Sequence, residues 1–237
     1  MPMQQKSLIK TILEAISLVA LYVVTIFAGV YFLDSKKYLI ISLLLIVYTL
    51  APFFISFERR KPHAREIVVL AIMCALAVAG RMVFYSFAQI KPVAAIVIIT
   101  GICFGYQSGF LVGAMSMFIS NIFMGHGPWT PWQMLTFALI GALAGIVFKS
   151  EIKRPNKWVV AIFGFVVTFL FSTLILDTAT IIIADTVSIK ALLASFATGF
   201  VFNLVHAIST SVFLVLLTNP ILDKMQRVKQ KYGLSLN

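Results

Sequence analysis

Three polar side chains lie deep inside long apolar segments of this 237-residue chain: Arg81, Asn121 and Asp177. Charged and strongly polar groups are costly in such surroundings, so they are usually paired or used for function. Arg81 and Asp177 can pair with each other as cation and anion. Alternatively, all three side chains can line a site that binds a polar ligand. The residues alone leave both interpretations open.

The ten residues GHGPWTPWQM, at 125–134, form a second feature of chemical interest. Pro128 and Pro131 are expected to stop helices and stiffen the connection. Trp129 and Trp132 are amphipathic rings, which suit either anchors at a membrane interface or a lid over an apolar, planar ligand. We favour the lid, because two of the three tryptophans in the chain fall in this one segment.

Helix geometry places the three polar side chains at similar depth. At a rise of about 1.5 Å per residue, Arg81, Asn121 and Asp177 lie roughly 22, 20 and 28 Å from the inner ends of their helices. A pocket there would be mostly apolar with a few polar groups, as in small-molecule sites. We expect Asn203 and His206 to hydrogen-bond between helices instead. The candidate substrate-binding residues are Arg81, Tyr85, Gln89, Lys91, Asn121, His126, Trp129, Trp132, Gln133 and Asp177.

Motifs for catalysis are missing from the sequence. It contains no glycine-rich phosphate loop, no His-Glu-x-x-His zinc motif and no serine nucleophile elbow. Cys74 and Cys103 lie inside apolar segments and are interpreted as small buried hydrophobes, without disulfide or metal spacing. We therefore expect no enzyme activity, no metal and no cofactor. If the protein transports a solute, the energy is expected to come from a partner.

The elements that position these residues are predicted to be membrane helices. The chain is 61% hydrophobic and 11% charged, and its apolar runs are continuous, which predicts an all-α, polytopic membrane protein. Gly101, Gly105 and the polar YQSG divide one run that is too long for a single span. Eight spans result: Ile12–Leu33, Tyr38–Phe57, Ile67–Phe87, two within Pro92–Phe123, Met134–Phe148, Trp158–Ile183 and Leu192–Leu217.

The spans divide the chain into an N-terminal helix pair at 1–62, a six-helix domain at 63–220 and a basic cytoplasmic tail at 221–237. With the N-terminus in the cytoplasm, most of the 19 Lys and Arg residues fall on the cytoplasmic side, as the positive-inside rule requires. Both termini are then cytoplasmic, and segment 125–134 faces outside. We attribute the net charge of +11 to contact with anionic lipid rather than nucleic acid.

Small residues mark one side of the first of the six helices. Ala71, Ala75 and Ala79 are spaced four apart and share one face, which we call the alanine face. Such a face allows close approach by another helix. That helix can belong to this chain or to a partner, and the spacing alone leaves both open.

Together with the alanine face, GICFGYQSGF at 101–110 and GHGPWTPWQM followed by LIGALAGIVF resemble the S component of energy-coupling factor (ECF) vitamin transporters. The resemblance covers roughly Glu66–Leu217 and implies a six-helix, substrate-binding bundle in the bacterial plasma membrane. It also implies that the alanine face docks on a transmembrane coupling subunit. Two ATPase subunits would then drive the S component to topple and deliver its vitamin. The leading helix pair departs from the six-helix pattern.

Within this resemblance we expect a large, amphipathic substrate. Cobalamin fits best, because a corrin ring offers two tryptophans a broad apolar plane with amide edges; riboflavin, folate and queuosine precursors stay open. A self-sufficient secondary transporter is a competing class, but no convincing pair of broken helices indicates an inverted repeat. An intramembrane lipid enzyme needs clustered catalytic groups, whereas His63, His126 and His206 are scattered along the chain.

Overall fold

The computed structural model describes residues 64–148, 155–184, 186 and 188–232, together with Leu44, Ala51 and Ile55 as isolated positions. Within these ranges the secondary structure is helical and includes no strand, which confirms the expected polytopic helical membrane fold. Apart from these three isolated positions, the predicted N-terminal helix pair lies outside the described residues, and so does the basic segment at 149–154. The pair therefore stays a prediction.

Six helices follow one another in the described part of the chain. Five of them, all except the second, are long and apolar enough to cross a membrane. The second has 12 residues, all buried, because it packs among the other helices. The helices are α1 (Ala64–Val83), α2 (Val93–Phe104), α3 (Tyr106–Met124), α4 (Thr130–Val147), α5 (Lys157–Ile183) and α6 (Ile189–Tyr232).

The last two helices differ from regular, membrane-length spans. Helix α5 is interrupted by a π-helical segment at Ser172–Asp177, where the hydrogen-bonding pattern widens by one residue. Helix α6 has 44 residues and continues through Pro220, well beyond the expected end at Leu217. Beyond the proline, Ile221 and Leu222 are buried against the bundle core. The first part of the segment expected as a tail is therefore helical and packed.

Gly105 makes the predicted break between α2 and α3. Its φ of 83° lies in the left-handed region, where glycine avoids the strain that a side chain would cause. A Cβ atom there would meet nothing within 4 Å, so conformation rather than space requires the glycine. Because α3 begins at Tyr106, the polar YQSG lies in the first turn of this helix. Our expectation that YQSG belongs to the connection was wrong.

Four glycines bring the backbones of α3 and α4 into contact. Gly109 and Gly113 lie four residues apart on α3, and Gly141 and Gly145 do so on α4. A Cβ atom on Gly141 would collide with the backbone carbonyl of Gly109, and one on Gly113 with that of Phe137. Small residues at this spacing allow close helix approach in membranes. The contact holds the N-terminal half of α3 against the C-terminal half of α4, so the two helices run antiparallel and in close contact.

We expect Gly141→Ala to destabilise the protein by about 1–3 kcal/mol, the usual cost of overpacking. The added methyl group meets a backbone carbonyl, which cannot move without moving α3. Gly164→Ala is the matched control, because its methyl group meets Cδ1 of Leu214, the end of a flexible side chain. Thermal unfolding in detergent measures both variants. Equal midpoints would contradict the proposed backbone contact.

Candidate functional site

Arg81 joins three helices through neutral hydrogen-bond partners. It lies in the last turn of α1 and is buried, with 7% of its surface exposed. Its Nη1 donates to Ser120 Oγ and, at 2.8 Å, to Asn121 Oδ1 on α3. Its Nη2 donates to Gln133 Oε1 on α4 at 3.4 Å. Oxygen acceptors on two other helices therefore surround the buried guanidinium.

A second layer of hydrogen bonds ties this cluster to the connection between α3 and α4. Asn121 Nδ2 donates to Thr130 Oγ1 at 3.0 Å and to Gln133 Oε1 at 2.9 Å. The backbone N–H of Gly127 also donates to Thr130 Oγ1, at 3.2 Å. We call Arg81, Ser120, Asn121, Thr130 and Gln133 the Arg81 network. Hydrogen bonds therefore link Gly127 of this connection to the buried Arg81 by way of Thr130 and Asn121.

The two tryptophans of segment 125–134 occupy different environments. Trp129 is 46% exposed, whereas Trp132 is 5% exposed and packs with Leu135 and Ala179. Pro131 lies in the first turn of α4, a position that proline favours, so it begins this helix. Our expectation that Pro131 stiffens a loop was therefore wrong. The structure places one indole ring at the surface, where we expected a pair.

Asp177 is bound by α6 and not by Arg81. It ends the π-helical segment of α5, and its Oδ2 accepts from Asn203 Nδ2 at 2.8 Å. Gly199 makes room for the carboxylate, because a Cβ atom there would lie 2.5 Å from Oδ2. Asn203 also donates to Thr173 Oγ1 at 3.1 Å, which confirms its expected interhelical role. The described contacts of Asp177 include no ion pair with Arg81.

Lys91 and His206 lie on the α6 side of the Arg81 network. The backbone N–H of Lys91 donates to Ser209 Oγ at 3.1 Å, so the α1–α2 connection contacts α6. Burial and then repulsion by Arg81 lower the pKa of Lys91. The His206 ring packs on the ring of Phe137, with the two centroids 5.9 Å apart. Its Nε2 has no hydrogen-bond partner among the described residues, so this nitrogen does not make the expected interhelical bond.

The remaining candidates lie near the surface. Tyr85 is 62% exposed, and Gln89 is half-buried with a φ of 60°, which is uncommon for a residue with a side chain. His126 is exposed, and its ring lies 5.3 Å from that of Phe118. The structure thus brings Arg81, Asn121 and Gln133 into direct contact. It does not bring Tyr85 or His126 into that network.

The alanine face lines an apolar groove between α1 and α3. Ala71, Ala75 and Ala79 are all exposed, and the groove has a volume of about 640 Å³. Its other walls are apolar side chains, including Met82, Met115 and other residues of α1 and α3. None of the described helices covers this face. Within the described ranges, then, the alanine face is not used for packing inside the chain.

The family model for the ECF-type riboflavin transporter S component matches residues 61–222, from just before α1 into the C-terminal part of α6. The chain belongs to this family. The resemblance to ECF S components is therefore confirmed, whereas the narrower expectation of the cobalamin branch has no support from the match. No solved structure matches this S component significantly.

Curated relatives of the S component include UPF0397 proteins from Vibrio and Aliivibrio. The protein from Vibrio atlanticus (strain LGP32) is 31% identical over 88 residues, which cover 35% of this chain and 48% of the relative. The protein from Aliivibrio fischeri (strain MJ11) is 30% identical over 98 residues, which cover 38% and 53%. The chain spans about half the length of the curated relatives it matches.

Sequence analysis of this S component missed several members of its polar clusters. Ser120 and Thr130 belong to the Arg81 network, and Thr173 and Ser195 contact the Asp177 region. Small hydroxyl residues are common in membrane helices, so their type carries little signal. For Ser120, the one available signal was its position directly before Asn121 in the sequence.

We expect Arg81→Lys to destabilise the S component by about 1–3 kcal/mol, because bonds to a charged group are lost. Lysine keeps the charge but lacks the planar fork that reaches acceptors on two helices. Arg227→Lys is the matched control, since Arg227 is exposed on α6. Thermal unfolding in detergent should show a lower midpoint for Arg81→Lys alone. The same midpoint for both variants would mean that the network contributes nothing measurable.

Proposed function

We propose that this chain captures a flavin, with riboflavin as the leading candidate, as the S component of an ECF-type vitamin importer. In this proposal the protein lies in the bacterial plasma membrane with both termini in the cytoplasm. A transmembrane coupling subunit and two ATPase subunits supply the energy, and the chain itself catalyses no reaction. The observation that carries the proposal is the buried Arg81 network beside the exposed Trp129, in a chain of this family.

The chemistry of the Arg81 network suits the polar edge of a planar heterocycle. A guanidinium has five N–H donors, and the described bonds of Arg81 engage its two terminal nitrogens with three acceptors. Amide side chains at Asn121 and Gln133 add donors and acceptors beside it. A flavin ring presents carbonyl and imide groups along one edge, with apolar faces that an indole can cover. The arrangement therefore offers complementary groups to both parts of the ring.

The environments of the tryptophans favour a flavin over a corrin. The preference for cobalamin depended on two indole rings facing one broad plane. Trp132 is instead packed in the core, which leaves Trp129 as the exposed ring of this segment. One indole covers a flavin-sized ring system better than a corrin. The family model is also named for riboflavin transporters. Cobalamin, folate and queuosine precursors are the competing ligands in the binding experiment.

The alanine face is the proposed docking surface for the coupling subunit. It is exposed and apolar, and its small side chains let a partner helix approach closely. Ala79 lies two residues before Arg81 on the same helix, so the docking face and the Arg81 network share α1. A displacement of α1 on docking would therefore act directly on bonds to Asn121 and Gln133. Membrane lipids would cover the groove when the partner is absent.

We expect Trp129→Ala to weaken riboflavin binding by about 1 kcal/mol, or roughly fivefold in Kd, through loss of one stacked ring. Trp158→Ala is the matched control, because Trp158 is also an exposed indole, 59% accessible, and lies at the start of α5. Quenching of flavin fluorescence on the purified full chain measures the affinities, with cobalamin and folate as competitors. Tight binding of a competitor in place of riboflavin would contradict the proposed substrate.

We expect Ala75→Leu to abolish vitamin uptake while leaving riboflavin affinity unchanged, because the larger side chain blocks close helix approach. Ala194→Leu, the same change at an exposed alanine of α6, should leave uptake intact. Uptake is measured in cells or in vesicles that contain the complete transporter. Loss of riboflavin binding in Ala75→Leu would contradict the docking assignment. Concentrative uptake by the isolated chain in vesicles would instead favour a secondary transporter.

A further inference from the structure

Polar atoms that the Arg81 network does not use are buried between α5 and α6. Three of them have no hydrogen-bond partner among the described residues: Thr168 Oγ1, Ser172 Oγ and His206 Nε2. Their residues are 0%, 2% and 6% exposed. We call them the hydroxyl–imidazole cluster. Buried polar groups in native proteins are nearly always hydrogen-bonded, so the cluster needs an explanation.

The two hydroxyl groups also differ from those of three buried threonines in other helical positions. Thr100, Thr136 and Thr210 each donate to the carbonyl oxygen four residues earlier in their own helix, at 2.8, 2.8 and 2.9 Å. Neither hydroxyl of the cluster does so. Ser172 also begins the π-helical segment of α5, and such segments occur frequently at functional sites. The π-helical distortion of α5 therefore begins at one of the two hydroxyl groups that have no described hydrogen-bond partner.

Contacts between α5 and α6 place the three side chains on facing stripes. Ser211 Oγ donates to the carbonyl of Ala161 at 2.9 Å, and Asn203 Nδ2 donates to Thr173 Oγ1 at 3.1 Å. These bonds set the antiparallel register above and below the cluster. Residues four apart stay on one helix face, so the two hydroxyls of α5 face the part of α6 that carries the imidazole.

The cluster lies next to the Arg81 network. The His206 ring packs against Phe137, which is one helical turn beyond Gln133 on α4. One turn corresponds to about 5–6 Å along the helix. The Arg81 network and the cluster therefore lie about one helical turn apart along α4.

We propose that the hydroxyl–imidazole cluster is the subsite that hydrogen-bonds the polyol side chain of the flavin, while the Arg81 network binds the ring edge. This inference rests on the proposed flavin-binding function. The hydroxyl groups of Thr168 and Ser172 can each donate and accept a hydrogen bond, and the Nε2 atom of a neutral His206 can do one or the other. The alcohol groups of a polyol can also donate and accept, so each can bond to a group of the cluster. Thr168 and Ser172 are one turn apart on α5, a spacing of about 6 Å that an extended polyol spans.

The test compares riboflavin with lumiflavin, which has the same ring but a methyl group in place of the polyol. Affinities are measured on the purified full chain for Thr168→Val, Ser172→Ala and His206→Phe. Each variant should weaken riboflavin binding about tenfold and change lumiflavin binding less than twofold. Thr218→Val is the matched control: its hydroxyl is equally buried and unpartnered, but lies three turns from His206 on α6. It should change neither affinity.

The lumiflavin measurement separates a lost subsite from a damaged fold. The proposed subsite is contradicted if a variant loses affinity for riboflavin and lumiflavin equally. It is also contradicted if all three variants keep full affinity for riboflavin. Equal affinity of the unmodified chain for the two flavins would overturn it as well, because the polyol would then contribute nothing. If the unmodified chain binds neither flavin, the proposed substrate fails and this subsite fails with it.

Discussion

A full positive charge buried among apolar helices is the constraint on which the rest of this arrangement depends. Arg81 has no described carboxylate partner, and oxygen atoms from α3 and α4 compensate its lost hydration instead. Such compensation works only if both helices hold their acceptors at fixed distances. The charge therefore constrains where α1, α3 and α4 can lie, and it makes their shared end a specific polar site.

Close packing at glycines fixes the positions of α3 and α4 relative to each other. Gly109, Gly113 and Gly141 let the backbones of α3 and α4 touch at one end of the pair, and at the other end Asn121 bonds Gln133 at 2.9 Å and both accept from Arg81. The same arginine lies on the helix that carries the exposed alanine face. One rigid helix thus connects the proposed docking groove with the proposed substrate site, which is the geometry that a capture subunit driven by a partner requires.

The pattern of the sequence predicted much of this fold and part of its site. Apolar run length and the helix-breaking Gly105 located most helix boundaries within a few residues, whereas α6 runs to Tyr232, far beyond the expected Leu217. Proline did not end α6, because Pro220 lies inside a helix that the bundle core holds on both sides. The structure brings Arg81, Asn121 and Gln133, three of the ten candidates, into contact, whereas their partner Thr130 was not named although it lies in the segment 125–134.

By itself, the sequence determined that this is an all-α membrane protein and which segments form its described helices, because hydrophobic length and helix breakers are local properties of the chain. Only the tertiary structure decided which polar groups meet. Asp177 binds Asn203 rather than Arg81, and Trp132 lies in the core while Trp129 stays exposed. These outcomes depend on how whole helices are rotated and packed against one another, and no short stretch of sequence records that rotation.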